Sequence, residues 1–329
     1  MEKVTFLCIG SATQDVFLSQ SRDFAPVCEN PDECFFNLEL GSKINVNKIH
    51  FTTGGGASNA ATTFARSGHE TLFLGTIGHD PAGIAVLNDF DRENIDTTFI
   101  SYSEKYNTDY STLLLAPDGE RTILTYRGCG NHLNVANFNV AEIFETRKVD
   151  WIYITSLAGN WQIYDDIFRT AKENNVKIAW NPGRLELENP DKLRPLLADV
   201  EILSVNKEEA QRIVSGETLD ELLRHLRNYV PVAIVTDGVN GSIAGDKTSV
   251  ARANLYSDEP SLDRTGAGDA FASGFALKYT NGAGIKESLH FAAANASAVV
   301  QKVGAKTGIL NMYETKLNPM KIEVKPTNY

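Results

Sequence analysis

No run of apolar residues in this chain is long enough to span a membrane. The first apolar stretch, in MEKVTFLCIGSATQD, is too short and too soon interrupted for a secretory leader, so a cytoplasmic protein is expected. Cysteine is sparse. Cys8, Cys28, Cys34 and Cys129 fall at unrelated spacings without a CxxC pair, which speaks against a zinc site or a redox motif. Buried or incidental thiols are the expectation; a Cys28–Cys34 pairing is the one alternative, and a reducing compartment disfavours it. The six histidines show no H-x-x-x-H spacing and are assigned no role. Positive charge is in short supply: 31 Lys and Arg against 42 Asp and Glu leave a net charge of −11. General binding to nucleic acid or to an anionic membrane is therefore disfavoured, although a few N–H groups can still hold a small anion. Two phosphate-binding devices are also missing. No G-x-x-x-x-G-K-[ST] occurs, and G-x-G-x-x-G fails both at 266–271, where Phe271 stands last, and at Gly10-Ser11-Ala12-Thr13, which has one glycine.

What remains is ordinary globular composition, 42% apolar and 22% charged, over 329 residues, enough for one large α/β domain or two domains. Residues 4–10 read as a buried strand, 57–68 as a helix stopped by Gly68, 71–78 as a strand and 81–94 as a helix with Pro81 in its first turn. From 151 onward strands (151–156, 176–182, 200–206, 232–238) alternate with helical patterns (161–175, 207–214, 219–229). A hairpin over 242–254 and two helices, 268–282 and 286–304, follow. Such alternation predicts a mostly parallel sheet covered on both faces. Two β-leaning excursions break it. One is 13–51, with PVCENPDECFFN as a surface loop. The other is 97–127, where two β runs flank Pro117-Asp118-Gly119. The expected organisation is a core of 1–12, 52–96 and 128–329, with 13–51 and 97–127 meeting as a small discontinuous β lid.

Three segments can carry chemistry. In DRTGAGDAF (263–271), Gly266 and Gly268 allow successive N–H groups to aim at one point, and a helix starting there adds its positive end. Asp269 beside such an anion pocket can accept a hydroxyl proton, or it can simply cap a helix. In TTGGGASNAA (52–61), Gly55 and Gly56 permit close backbone approach and Asn59 offers donor and acceptor together, suiting a polyhydroxylated ligand; a tight strand-to-helix turn explains them equally. Asn206 and Glu209, three apart at a strand end, suit a hydrated magnesium carried by a nucleotide, or a capping box.

Taken in this order, TGGGASN, N-x-x-E and D-x-T-G-A-G-D resemble the ribokinase-like (PfkB) carbohydrate kinases over nearly the whole chain. The resemblance implies an α/β three-layer sandwich with a mostly parallel central sheet and a β lid. It also implies transfer of the γ-phosphate of ATP, with magnesium, to a hydroxyl of a small sugar. Asp269 would be the base, and Gly266, Ala267 and Gly268 the donors to the migrating phosphate. Asn206 and Glu209 would act on magnesium through water. Thr236, Gly238, Gly241 and Asn295 would meet the nucleotide, and Asp15, Gly55, Gly56, Asn59 and Asn181 the acceptor. Asp263, Thr265 and Gly304 match positions near a monovalent cation, K+, in many members. A homodimer through the lid is a further expectation, as in several relatives.

Two departures bear on the acceptor. Ala57 follows the triple glycine where ribokinase itself has Lys-Gly, and WIYITS ends in Thr155 and Ser156 where ribokinase places an acid. Another acceptor is therefore expected, with a nucleoside kinase as the rival within the fold. A sugar-phosphate kinase is disfavoured because no Lys/Arg cluster marks the substrate side, and Arg127 reads as a surface arginine rather than an anion ligand. Outside kinases, a sensor that binds without turnover and, more distantly, a dehydrogenase remain.

Overall fold

A strand covered by helices on both faces must be apolar on both, and TFLCI, near the N-terminus, is buried at every position. The computed structural model describes residues 3–30, 33–117, 120–257, 261–313 and 322–326. In chain order, β1 (Thr5–Ile9) leads into β2 (Thr13–Ser19), the pair β3 (Val27–Asn30) and β4 (Glu33–Phe35), and β5 (Lys48–Gly54), which runs into helix α1 (Gly56–Arg66). Next come β6 (Glu70–Leu74), β7 (Thr76–Gly78), α2 (Pro81–Arg92), β8 (Ser101–Ser103), β9 (Asp109–Leu115) and β10 (Arg121–Tyr126). The alternating part holds α3 (Val140–Thr146), β11 (Trp151–Ile154), α4 (Trp161–Glu173), β12 (Lys177–Trp180), α5 (Arg184–Leu187) and α6 (Pro190–Leu196). It continues through β13 (Ile202–Asn206), α7 (Lys207–Ile213), α8 (Leu219–Leu226) and β14 (Val232–Thr236). The chain closes with β15 (Ser242–Gly245), β16 (Ser249–Ala253), α9 (Ala267–Thr280), α10 (Ile285–Val300) and β17 (Ile322–Pro326).

The main sheet has the order β17-β16-β15-β14-β13-β12-β11-β1-β6, parallel from β6 to β14 and antiparallel beyond. Side-chain alternation along each strand splits the core in two. Leu7 and Ile9 of β1 belong to one continuous core with Ile163, Ile167 and Phe168 of α4 and, farther along the sheet, Leu222 and Leu226 of α8. Phe6 and Cys8 pack on the other side with Phe64 of α1, Phe90 of α2, Phe275 of α9 and Phe291 of α10. Each such side chain, fully enclosed, contributes about 1.5–3 kcal/mol, which is what holds three layers together.

A smaller sheet, β10-β9-β2-β5, stands beside this sandwich. Its β2–β9 pairing is parallel and the other two are antiparallel. In register, Asp15 lies opposite Thr52 on one side and Ser111 on the other, so the three share a face. Farther along that face Phe17, Leu113 and Leu115 form a local core with Val303. Ile49, Phe51, Leu124 and Tyr126 are exposed.

The α/β three-layer class with a small extra sheet is therefore the one observed. Several details differ from expectation. The strand expected over 71–78 is two, because Gly75 lies so close to the Gly10 carbonyl that a Cβ there would approach it to 2.4 Å. The last helix ends at Val300, not 304; the chain turns away through Gly304 at φ 94. Helices α3, α5 and α6 have no counterpart among the sequence expectations; α5 and α6 are short, and α6 opens on Pro190 and carries Pro195 inside it. Cys28 and Cys34 are not incidental thiols: cross-strand neighbours in the β3–β4 pair, they form a disulfide. Cys8 and Cys129 are free and buried. The two β runs of 97–127 do pair as a hairpin, while Asp118 and Gly119, the residues expected to turn it, lie outside the described residues.

Candidate active site

The parallel strands end along one edge, where ligands of open α/β sheets are bound. Gly10 follows β1, Thr155 follows β11, Asn181 follows β12, and Asn206 and Thr236 end β13 and β14. Two glycine turns come in over this edge, one before α1 and one before α9.

Gly266 caps α9 in the left-handed region (φ 77), so Asp269 lies in the helix's first turn. Its Oδ2 accepts a hydrogen bond from Asn59 Nδ2 at 2.7 Å, joining the two turns across 210 residues. A Cβ on Gly56 would lie 3.3 Å from Asp269 Oδ1 and 3.2 Å from Thr155 Cβ. The carboxylate, the first turn of α1 and the end of β11 therefore converge. Burial pushes the Asp269 carboxyl above the usual aspartate range; the Asn59 hydrogen bond opposes that and the nearby Asp15 charge adds to it. Asp15 is itself buried and raised, chiefly by desolvation, with hydrogen bonds from Thr13 and Ser111 and the charges of Lys306 and Arg127 pulling the other way. Asn59 Oδ1 and Thr155 Oγ1 are buried without a hydrogen-bond partner among the described residues. A narrow pocket opens alongside, between Gly10, Thr76, Asp109 and Gly130.

Among the sequence-predicted residues, Asp15, Gly55, Gly56, Asn59, Gly266, Ala267, Gly268 and Asp269 are brought to this edge. Asn181 braces it: its N–H donates to Ile154 O at 2.9 Å and its Nδ2 to Ser204 O at 2.8 Å. Asn206 and Glu209 form the capping box of α7, with Asn206 N–H donating to Glu209 Oε2 at 2.8 Å and Glu209 N–H to Asn206 Oδ1 at 2.9 Å. Burial raises the Glu209 carboxyl, and the Asp269 charge is among the further contributors. Thr236 stands at the end of β14, with Gly238 and Gly241 in the turn that follows it. Asp263 is buried, its Oδ1 accepting from Thr265 N–H (2.9 Å) and Oγ1 (2.7 Å) and its Oδ2 from Gly304 N–H (2.9 Å). That carboxylate folds the loop from Asp263 to Thr265 against Gly304.

Asn295 is a correction. It is fully enclosed; Nδ2 donates to Ala270 O and Oδ1 accepts from Leu310 N–H, both at 2.8 Å. Its amide ties α10 to α9 and to the segment after it, and no polar atom of its side chain is turned to a nucleotide. Arg127 is half exposed and pairs with Asp109 Oδ2 at 3.4 Å, in line with a structural arginine. Asp109, at the start of β9, went unnoticed in the sequence although it lines the pocket and accepts from Gly130 N–H at 2.8 Å. Lys306, buried beneath the turn before α1, was missed too. A charged residue inside a polar run carries no periodic signal of burial.

The chain matches the model of the pfkB family carbohydrate kinases over residues 15–311. It is 26% identical over 284 residues to ribokinase of Haemophilus influenzae, covering 84% of this chain and 90% of that one. Among solved structures it is similar to Arabidopsis thaliana ribokinase complexed with ribose and ATP, with TM-score 0.75, 21% identity and coverage of 94% and 96%. A Methanocaldococcus jannaschii nucleoside kinase aligns with TM-score 0.71, 21% identity and coverage of 93% and 95%.

Proposed function

The chain belongs to the pfkB family of carbohydrate kinases, and on that footing we propose that it transfers the γ-phosphate of ATP to a hydroxyl of a small, uncharged polyol, with Asp269 as the base. One observation carries this reading: the Asp269 carboxylate, in the turn that opens α9, is held by Asn59 of the other glycine turn, whose own Oδ1 is buried without a partner among the described residues. Buried polar groups are ordinarily paired, and a hydroxyl of an acceptor would satisfy it. Thr155 in place of an acid favours a neutral hydroxyl there over a cationic group.

The chemistry follows from positions. An acceptor hydroxyl held between Asp15, Asn59 and Asp269 attacks the γ-phosphorus. Its proton passes to the Asp269 carboxylate, and the bond to the leaving ADP oxygen breaks. The raised carboxyl makes Asp269 a better proton acceptor than an exposed aspartate. N–H groups of the Gly266–Gly268 turn and the start of α9 face the charge that builds on the migrating group. Such a reaction is catalysed mainly by positioning and charge neutralisation. Magnesium arriving with the nucleotide would neutralise phosphate charge; Asn206 and Glu209, already tied in their capping box, fit it through water rather than by direct ligation. Backbone around Gly238 and Gly241 is assigned to the nucleotide.

A second reading, phosphorylation of a nucleoside by the same groups, rests on the similarity to nucleoside kinase structures. ADP release measured with ribose, fructose, adenosine, cytidine and inosine separates the two. Turnover with a free sugar that is lost in Asp269→Asn supports the proposal; undiminished turnover in that variant refutes the base assignment.

A further inference from the structure

A buried cation lies beneath the two turns, outside the groups assigned to the reaction. Lys306, in Val303-Gly304-Ala305-Lys306 after α10, is 6% exposed. Its Nζ donates to Thr53 Oγ1 at 2.9 Å, Ser58 Oγ at 2.6 Å and Asp89 Oδ2 at 2.8 Å, employing all three ammonium hydrogens. Thr53 is the penultimate residue of β5, Ser58 lies in the first turn of α1, and Asp89 is on α2. One ammonium therefore grips both sides of the Gly54-Gly55-Gly56 turn.

The same segment reaches toward the other turn. Gly304 N–H donates to Asp263 Oδ2 at 2.9 Å, and a Cβ on Gly266 would come within 2.5 Å of Ala305 Cβ. Gly304 backs onto β5, where a Cβ would meet Thr52 Cγ2 at 2.8 Å. From the last turn of α1, Arg66 donates to Lys306 O at 2.8 Å and Ile309 O at 3.0 Å, and it holds Glu93 with two further hydrogen bonds. Residues 304–306 thus sit as a wedge with one turn on each side. Burial lowers the pKa of the Lys306 ammonium, and the Asp89 carboxylate resists that change. Buried ion pairs are often replaceable by neutral groups without loss of stability, so stability alone is a poor account of this one.

We propose that Lys306 is a positioning residue that fixes the acceptor-side turn, Gly54–Asn59, against the anion-side turn, Gly266–Asp269, through the Gly304–Lys306 segment. The inference rests on the phosphotransfer reading above and deepens it. Asp269 and Asn59 must meet within hydrogen-bond distance, and this wedge sets their separation.

The test compares the full chain with Lys306→Met and with Lys306→Met/Asp89→Asn, the second leaving no buried charge unpaired. All are assayed at a temperature where circular dichroism shows them folded. We expect kcat/KM for the acceptor to fall roughly 10–100-fold in both variants, as a misplaced reacting group would cause, with KM for ATP within about twofold of wild type. Wild-type constants for the acceptor in the folded double variant would overturn the proposal and leave Lys306 a structural residue. Amide hydrogen exchange gives a readout independent of turnover. In the double variant, segments 52–59 and 264–270 should lose protection together. Unchanged protection of 264–270 would also overturn the inference. If wild type phosphorylates no acceptor, the functional reading fails while the exchange result still decides the wedge.

Discussion

The turn before α1 and the turn before α9 both open a helix with glycine, yet the protein crowds one and leaves part of the other bare. A Cβ on Gly54 would sit 2.2 Å from Asp15 Oδ2, and one on Gly55, at φ 95, would sit 2.4 Å from the Ser11 carbonyl oxygen. On Gly266 it would reach 2.5 Å from Ala305 Cβ. On Gly268 it would meet nothing within 4 Å. Packing therefore demands glycine at 54, 55 and 266, whereas no protein atom demands it at 268. A helix position with free space and no side chain, one residue before a buried carboxylate, is what an anion site requires and a plain helix cap does not.

The strongest way to break this comparison is Asp269→Asn. If the α9 turn is the reacting one, turnover should drop on the order of 10²–10⁴-fold with ATP binding retained, read by steady-state kinetics and calorimetry. If Asp269 is the base, the same carboxyl should set the acid limb of kcat/KM. Because its pKa is raised by burial, activity should begin to fall, as pH is lowered, above the ordinary aspartate value near 3.8. The stability sign runs the other way. A carboxyl raised in the folded state contributes stability that is complete below the unfolded value near 3.8 and lost as pH rises through the folded value. Asp269→Asn, which removes the titrating group, should therefore gain stability relative to wild type as pH rises through the folded value.

Next in size is Gly55→Ala, which combines a left-handed backbone with a collision against the Ser11 carbonyl. A loss of about 3 kcal/mol in chemical denaturation is expected. Gly268→Ala should do the opposite, stabilising the fold by about 0.4–1 kcal/mol through a less flexible unfolded chain. It should nonetheless raise KM for ATP roughly tenfold, about 1.4 kcal/mol of binding. A Gly268→Ala protein with unchanged nucleotide kinetics would leave the bare space without a purpose. Smallest is Asn206→Ser, which keeps the α7 cap and should alter stability by only a few tenths of a kcal/mol. If water-mediated magnesium contact is its role, the magnesium concentration for half-maximal rate should still increase.

Much of the architecture was legible because alternation is a local signal. Buried apolar strands and amphipathic helices, repeated in order, leave few arrangements other than a parallel sheet between helices. The excursions at 13–51 and 97–127 stand out in sequence because they break that rhythm; β2, β5, β9 and β10 share one sheet, whereas β3 pairs with β4 and β8 with β7. On the candidate site, glycine before a helix start pointed to both turns. Capping and catalysis look alike in sequence, though: Asn206 and Glu209 form the capping box that their spacing equally suggested. Asn295 was assigned to the nucleotide through the resemblance alone, and a resemblance does not say how deep a side chain lies. The Cys28–Cys34 disulfide was discounted on compartment, although the two residues are cross-strand partners.

Sequence alone determined the class of fold, its main alternation of strands and helices and the position of the two glycine turns, since each depends on residues near one another in the chain. Only the tertiary structure decided that Asn59 holds Asp269, that Lys306 finds Thr53, Ser58 and Asp89, and that Thr155 Oγ1 is buried without a partner among the described residues. The reason is physical. A buried charge or hydroxyl is tolerated only with the right neighbour. For Asp269 and Lys306 those neighbours lie more than 200 residues away, and folding alone brings them together.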